Sequence, residues 1–144
     1  MTLSGLCRTG LVTITRRIPM FRGLGRVVLL VDSCLTNSSD ASSYMVSSEV
    51  NGSCRLRLDL RGWEQKFAFY YGRWEDTLIS TVKRHFGEGA FYDVGASIGL
   101  YAMTFGRVCH ERGSYLRAFE PVPDNLQRLR EQFALNGPDE QHVA

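Results

Sequence analysis

Residues 90–103, Ala-Phe-Tyr-Asp-Val-Gly-Ala-Ser-Ile-Gly-Leu-Tyr-Ala-Met, constrain the fold of this chain more than any other stretch. The segment 90–94 is short and apolar, which predicts a strand covered on both faces, while 98–108 is apolar nearly all round and predicts a buried helix. Between them Gly95 permits a sharp turn, Ser97 is placed to cap the helix, and Gly99 allows close approach of another element or a ligand. The helix would present unpaired backbone N–H groups to a polar ligand. About twenty residues further on, a second strand at 115–120 ends in Glu120-Pro121, where a carboxylate at a strand's carboxyl end suits a ribose diol. Two parallel strands joined by a right-handed crossover, each followed by an acid, describe half of a nucleotide site. Asp93 would place negative charge at the turn, which suits an ammonium or sulfonium better than a diphosphate. Simpler readings stand beside these: Asp93 as a helix-capping or turn carboxylate, and Glu120 as a solvated strand-end acid.

The run Asp93-Val-Gly-Ala-Ser-Ile-Gly99, followed by Ala118-Phe-Glu-Pro121, Asn125-Leu, Leu129-Arg and Ala134-Leu-Asn-Gly137, resembles the cofactor-binding half of the FkbM family of methyltransferases across roughly residues 63–137. Ser97 stands where members usually carry Asn, and both are good helix N-caps. The resemblance implies an α/β, Rossmann-like class I methyltransferase fold, with S-adenosylmethionine held by Asp93, Gly95, Ala96, Ser97, Gly99 and Glu120. It implies O-methylation of a sugar or small-molecule hydroxyl, hence a small-molecule or glycan acceptor, and it marks no catalytic residue in this stretch. Measured against that fold, the chain is expected to be cut short after the second core strand and its helix. Two alternatives share the β-α-β logic: an NAD-dependent oxidoreductase, and a non-catalytic Rossmann remnant. The spacing Gly95-x-x-x-Gly99, in place of G-x-G-x-x-G, argues against the first.

Composition narrows the remaining classes. The 144 residues are 44% hydrophobic and 22% charged with a formal net charge of +2, enough apolar content for a core and no broad basic field for nucleic acid. Cys7, Cys34, Cys54 and Cys109 form no C-x-x-C and no cluster with histidine, so neither a metal site nor a disulfide framework is indicated and a reducing, cytoplasmic setting is expected. The first 31 residues hold five arginines and no acid. This is compatible with a basic helix, a targeting segment or membrane-surface attachment, but the apolar run 27–31 is far below the ~20 residues of a membrane span.

Along the chain the patterning suggests three regions. Residues 1–43 read as a loose basic tail, a helix at 21–35 and a polar loop at 37–43. Residues 44–72 read as a small antiparallel β region: strands at 44–50 and 53–60 around the Asn51-Gly52 turn, then a third extended segment at 64–71 with Phe67, Phe69 and Tyr71 on one side. Residues 73–144 read as the half Rossmann domain. There, Trp74, Leu78, Ile79, Val82 and Phe86 form a helical stripe closed by Gly87. A helix at 123–136 begins at Pro123, buries Leu126, Leu129 and Phe133, and stops at Gly137. A third strand is expected to begin at 142–144.

Overall fold

The computed structural model describes residues 3–19, 21, 23–35, 44–52 and 54–137. Among these the chain is mixed α/β, in the order α1 (Leu3–Thr15), α2 (Leu24–Leu35), β1 (Met45–Val50), β2 (Cys54–Asp59), α3 (Trp63–Tyr71), α4 (Asp76–His85), β3 (Ala90–Val94), α5 (Leu100–Glu111), β4 (Tyr115–Phe119) and α6 (Pro123–Asn136). Strands β1 and β2 form an antiparallel hairpin, and β3 and β4 form a parallel pair. No helix among the described residues is long and apolar enough to cross a membrane. The polar loop expected at 37–43 and the strand expected at 142–144 lie outside the described residues. Two compact units are formed, one from Met1–Ser48 with Arg57–Arg73 and the other from Glu49–Leu56 with Trp74–Ala144.

The first unit is a helical cluster. Leu24 and Val28 of α2 bury against Tyr70 and Tyr71 of α3, with Leu11, Val12 and Ile18 packed around them. The loose tail expected over residues 1–20 is instead largely helix. Gly10 and the threonines of α1 are weak helix formers, so its stability comes from packing. Thr15 shows how: its hydroxyl donates to the Tyr70 carbonyl at 2.6 Å. The third strand expected at 64–71 is also a helix, α3. Alternation of Phe67, Phe69 and Tyr71 mimics period two, but Phe67, Tyr70 and Tyr71 also satisfy i, i+3, i+4. The helix brings the Phe67 and Tyr71 rings to 4.3 Å, and Gly72 closes it at φ 66° with its N–H on the Ala68 carbonyl.

Inside this unit lies a fully buried acid that patterning did not reveal. Asp32 is 0% exposed; its Oδ2 lies 2.7 Å from the Lys66 ammonium, its Oδ1 accepts the Tyr70 hydroxyl at 2.5 Å, and Arg8 approaches at 3.6 Å. A carboxylate removed from water needs such partners. Burial, with the Asp32 charge adding to it, pushes the Tyr70 phenol well above its ordinary range.

In the second unit the hairpin turn has the positive φ at both Asn51 (55°) and Gly52 (62°) that the sequence calls for. Asn51 does more than turn the chain: its Oδ1 accepts the Trp74 N–H at 2.8 Å and its Nδ2 donates to Thr104 Oγ1 at 3.1 Å. Helix α4 is shorter than expected, and its stripe is narrower: Ile79 is buried but Leu78 is half exposed. Phe86, not Gly87, occupies the cap, and its ring meets Phe91 of β3 at 6.0 Å.

The parallel pair aligns Ala90 with Tyr115 and Val94 with Phe119. Phe91, Asp93, Leu116 and Ala118 point to one face, where α5 packs and Phe105 stacks on Phe91 at 4.4 Å. The opposite face is open: Tyr92 is 57% and Val94 81% exposed. Burial on both faces, as expected for β3, is therefore not observed. Helix α6 matches its expected bounds, with Leu129 and Phe133 fully buried and Leu126 only partly so. Each of those two buried side chains contributes about 1.5–3 kcal/mol. Asn136 then ties α6 to β2, accepting the Arg55 N–H at 2.8 Å and donating to the Arg55 carbonyl at 2.7 Å.

Candidate functional site

The six candidate residues converge at the carboxyl ends of β3 and β4, because the parallel register sets Asp93 beside Ala118 and Val94 beside Phe119. The loop after β3 folds back over the end of β4. The N–H groups of Gly95 and Ala96 both donate to the Phe119 carbonyl, at 2.9 and 3.0 Å, and Gly99 donates to the Ala96 carbonyl at 2.8 Å. Three residues of this loop are left-handed, Gly95 at φ 82°, Ser97 at 51° and Gly99 at 89°. Gly95 thus makes the sharp turn. Gly99 allows the close approach expected of it, and what approaches is α6: a Cβ at this position would sit 2.5 Å from Leu129 Cδ1.

Ser97 does not cap α5. The cap position belongs to Gly99, which makes no side-chain cap bond. The Ser97 backbone N–H instead donates to Glu120 Oε2 at 2.7 Å, and the residue is solvent-exposed in a conformation L side chains rarely adopt. Asp93 lies by the first turn of α5, where the Ala102 N–H favours its charged form.

The two acids occupy different electrostatic settings. Asp93 is buried at 9% exposure; burial raises its pKa most, the Ala102 N–H opposes this, and the nearby Glu120 charge raises it further. One of its oxygens, Oδ2, is buried with no hydrogen-bond partner. Glu120 is held below the usual carboxylate range, chiefly by the Val122 N–H at 2.9 Å and then by Ser97 and Asn125. It acts as a clasp between the loops after β3 and β4, a role that its strand-end position alone did not disclose. A carboxylate offers about four lone-pair positions, so the two backbone bonds and the Asn125 amide leave capacity for about one more donor, such as a ribose hydroxyl.

Of the groups that sequence reasoning missed, Phe119 O, the Val122 N–H and the Ala102 N–H are all backbone atoms and carry no side-chain signal. Asn125 was visible as a helix-start amide, and it turns toward Glu120. Tyr101, partly buried, lies with its ring 6.5 Å from that of Phe105. Among the described residues, no group of three or more His, Cys, Asp or Glu side chains is placed to hold a metal ion.

No protein-family model, curated protein or solved structure matches this chain.

Proposed function

We propose that the second unit is the S-adenosylmethionine-binding half of a Rossmann-like class I methyltransferase of FkbM type, acting on a hydroxyl oxygen of a sugar or other small molecule. The observation that carries this reading is the buried, unpartnered Oδ2 of Asp93 at the carboxyl end of a parallel strand pair, beside a left-handed glycine loop. A buried acceptor without a donor is costly, and an ammonium group would satisfy it. The residues therefore fit the amino acid end of such a cofactor, while Glu120, already fixed by Ser97, Val122 and Asn125, keeps acceptor capacity for a ribose hydroxyl. When bound, the cofactor supplies an electrophilic methyl group on a sulfonium. The chain's own part is to bind and orient: Asp93 by charge, Gly95 and Gly99 by leaving room, and Glu120 by holding two loops in register.

The structural settings of the two acids, Asp93 buried by the start of α5 and Glu120 clasping the loops, equally suit a non-catalytic remnant of the same fold. Calorimetric titration of the chain with S-adenosylhomocysteine and with NAD separates these readings. We expect the first to bind and Asp93→Asn to weaken it. Preference for NAD would make the site an oxidoreductase's, and binding of neither would leave the remnant.

A further inference from the structure

Helix α2 carries an apolar stripe on the core and a second, adjoining one outside it. Leu24 and Val28 face the core of the first unit, and Asp32 follows them inward. The second stripe carries Val27, Leu30, Val31 and Cys34 at i, i+3, i+4 and i+7. Val27 is 53%, Leu30 68% and Val31 37% exposed, and Cys34 is also exposed. Phe21, 57% exposed, begins the turn that leads into this helix, its carbonyl accepting the Leu24 N–H at 3.2 Å. A helix that is hydrophobic all round is normally covered all round.

Charge indicates what covers it. Residues 1–34 contain one acid, Asp32, which is turned inward onto Lys66 and Tyr70. Arg17 and Arg26 are exposed. Among the described residues of 3–34, the exposed side chains thus include aliphatic groups and the two guanidinium groups, and the one acid is turned inward. A second copy docking α2 against α2 would bring Arg26 toward Arg26, whereas phosphate headgroups above an acyl layer satisfy both components. At 12 residues, about 18 Å long, the helix can lie in the interface but not span it.

We propose that the outer face of α2 docks on an anionic phospholipid surface, Phe21, Val27 and Leu30 entering the acyl boundary and Arg17 and Arg26 meeting the phosphates. The test is cosedimentation of the whole chain with vesicles of phosphatidylcholine mixed with phosphatidylglycerol, against pure phosphatidylcholine. Binding to the anionic vesicles is expected, weakening as salt is raised. Leu30→Gln should weaken it about tenfold, the scale of one aliphatic side chain. Arg26→Gln should weaken it about fivefold. Both positions face solvent, so the thermal midpoint should hold. Emission of a Leu30→Trp chain should shift to the blue on anionic vesicles only, a readout independent of either loss variant. Absence of vesicle binding, equal binding to pure phosphatidylcholine, or binding unchanged in Leu30→Gln would overturn the proposal. A dimer abolished by Leu30→Gln, without vesicle binding, would assign this face to a second copy instead.

Discussion

Adding one carbon at position 99 tests whether the loop after β3 is as tightly determined as its contacts suggest. Gly99 sits at φ 89° and its missing Cβ would meet Leu129, which is fully buried and cannot swing into solvent. Gly99→Ala should cost about 1–3 kcal/mol in equilibrium denaturation, from backbone strain and overpacking together. Gly95, although also left-handed, has open space where its Cβ would be, so Gly95→Ala should cost only the strain, about 1 kcal/mol. The two acids should respond to pH with opposite sign. Asp93 has a raised pKa, so the folded chain binds more protons there than the unfolded one. Its favourable contribution is complete below the ordinary value of 3.8 and is lost as pH rises through the folded pKa. Glu120 has a lowered pKa, so its contribution is present above 4.5 and is lost as pH falls through the folded value. Thermal midpoints of Asp93→Asn and Glu120→Gln, followed between about pH 3 and 7, check this. The Asn variant should gain on wild type toward neutral pH and the Gln variant should fall behind it.

At the scale of elements, the outcome depended on whether local pattern and tertiary packing agree. Strands β3 and β4 and helix α6 were legible because an apolar run, a turn residue and a cap all point the same way: Pro123 opens α6 and Gly137 closes it in the left-handed conformation. Helix α3 was misread because its aromatics satisfy two periods at once, and only burial of Ala68 and Tyr70 decides between them. Helix α1 was missed because what stabilises it is remote in sequence, with Tyr70 of α3 accepting the Thr15 hydroxyl and Asp32 of α2 meeting Arg8. Asp32 carried no signal at all, being one acid within an apolar helix. Removing its closest cation should show its weight. Lys66→Met is expected to destabilise the chain by about 3 kcal/mol, the scale for breaking a buried ion pair by deleting one partner, as read from urea denaturation. Asp32→Asn combined with Lys66→Met should recover only part of that loss, because the buried carboxylate is gone but Arg8 is left without its counter-charge.

For the molecule as a whole, residue patterning brought the six candidate residues to one end of the parallel pair but did not disclose how the sheet beneath them is covered. Parallel strands are normally shielded on both faces, and the apolar character of 90–94 led to that expectation. In the structure α5 covers one face, leaving Tyr92, Val94, Tyr115 and Phe119 between 37% and 81% exposed on the other. Among the described residues, each of β3 and β4 also has one strand partner only. Apolar side chains beside unpaired strand edges favour association through added strands and stacked faces. The chain should therefore self-associate with rising concentration through this sheet, independently of α2. Val94 is the most exposed apolar side chain on this face, so Val94→Lys should suppress association while leaving the unfolding free energy within about 0.5 kcal/mol of wild type. Light scattering across a concentration series checks it. A wild-type chain that stays monodisperse, or association that persists unchanged in Val94→Lys, would mean the open face is not what brings the molecules together.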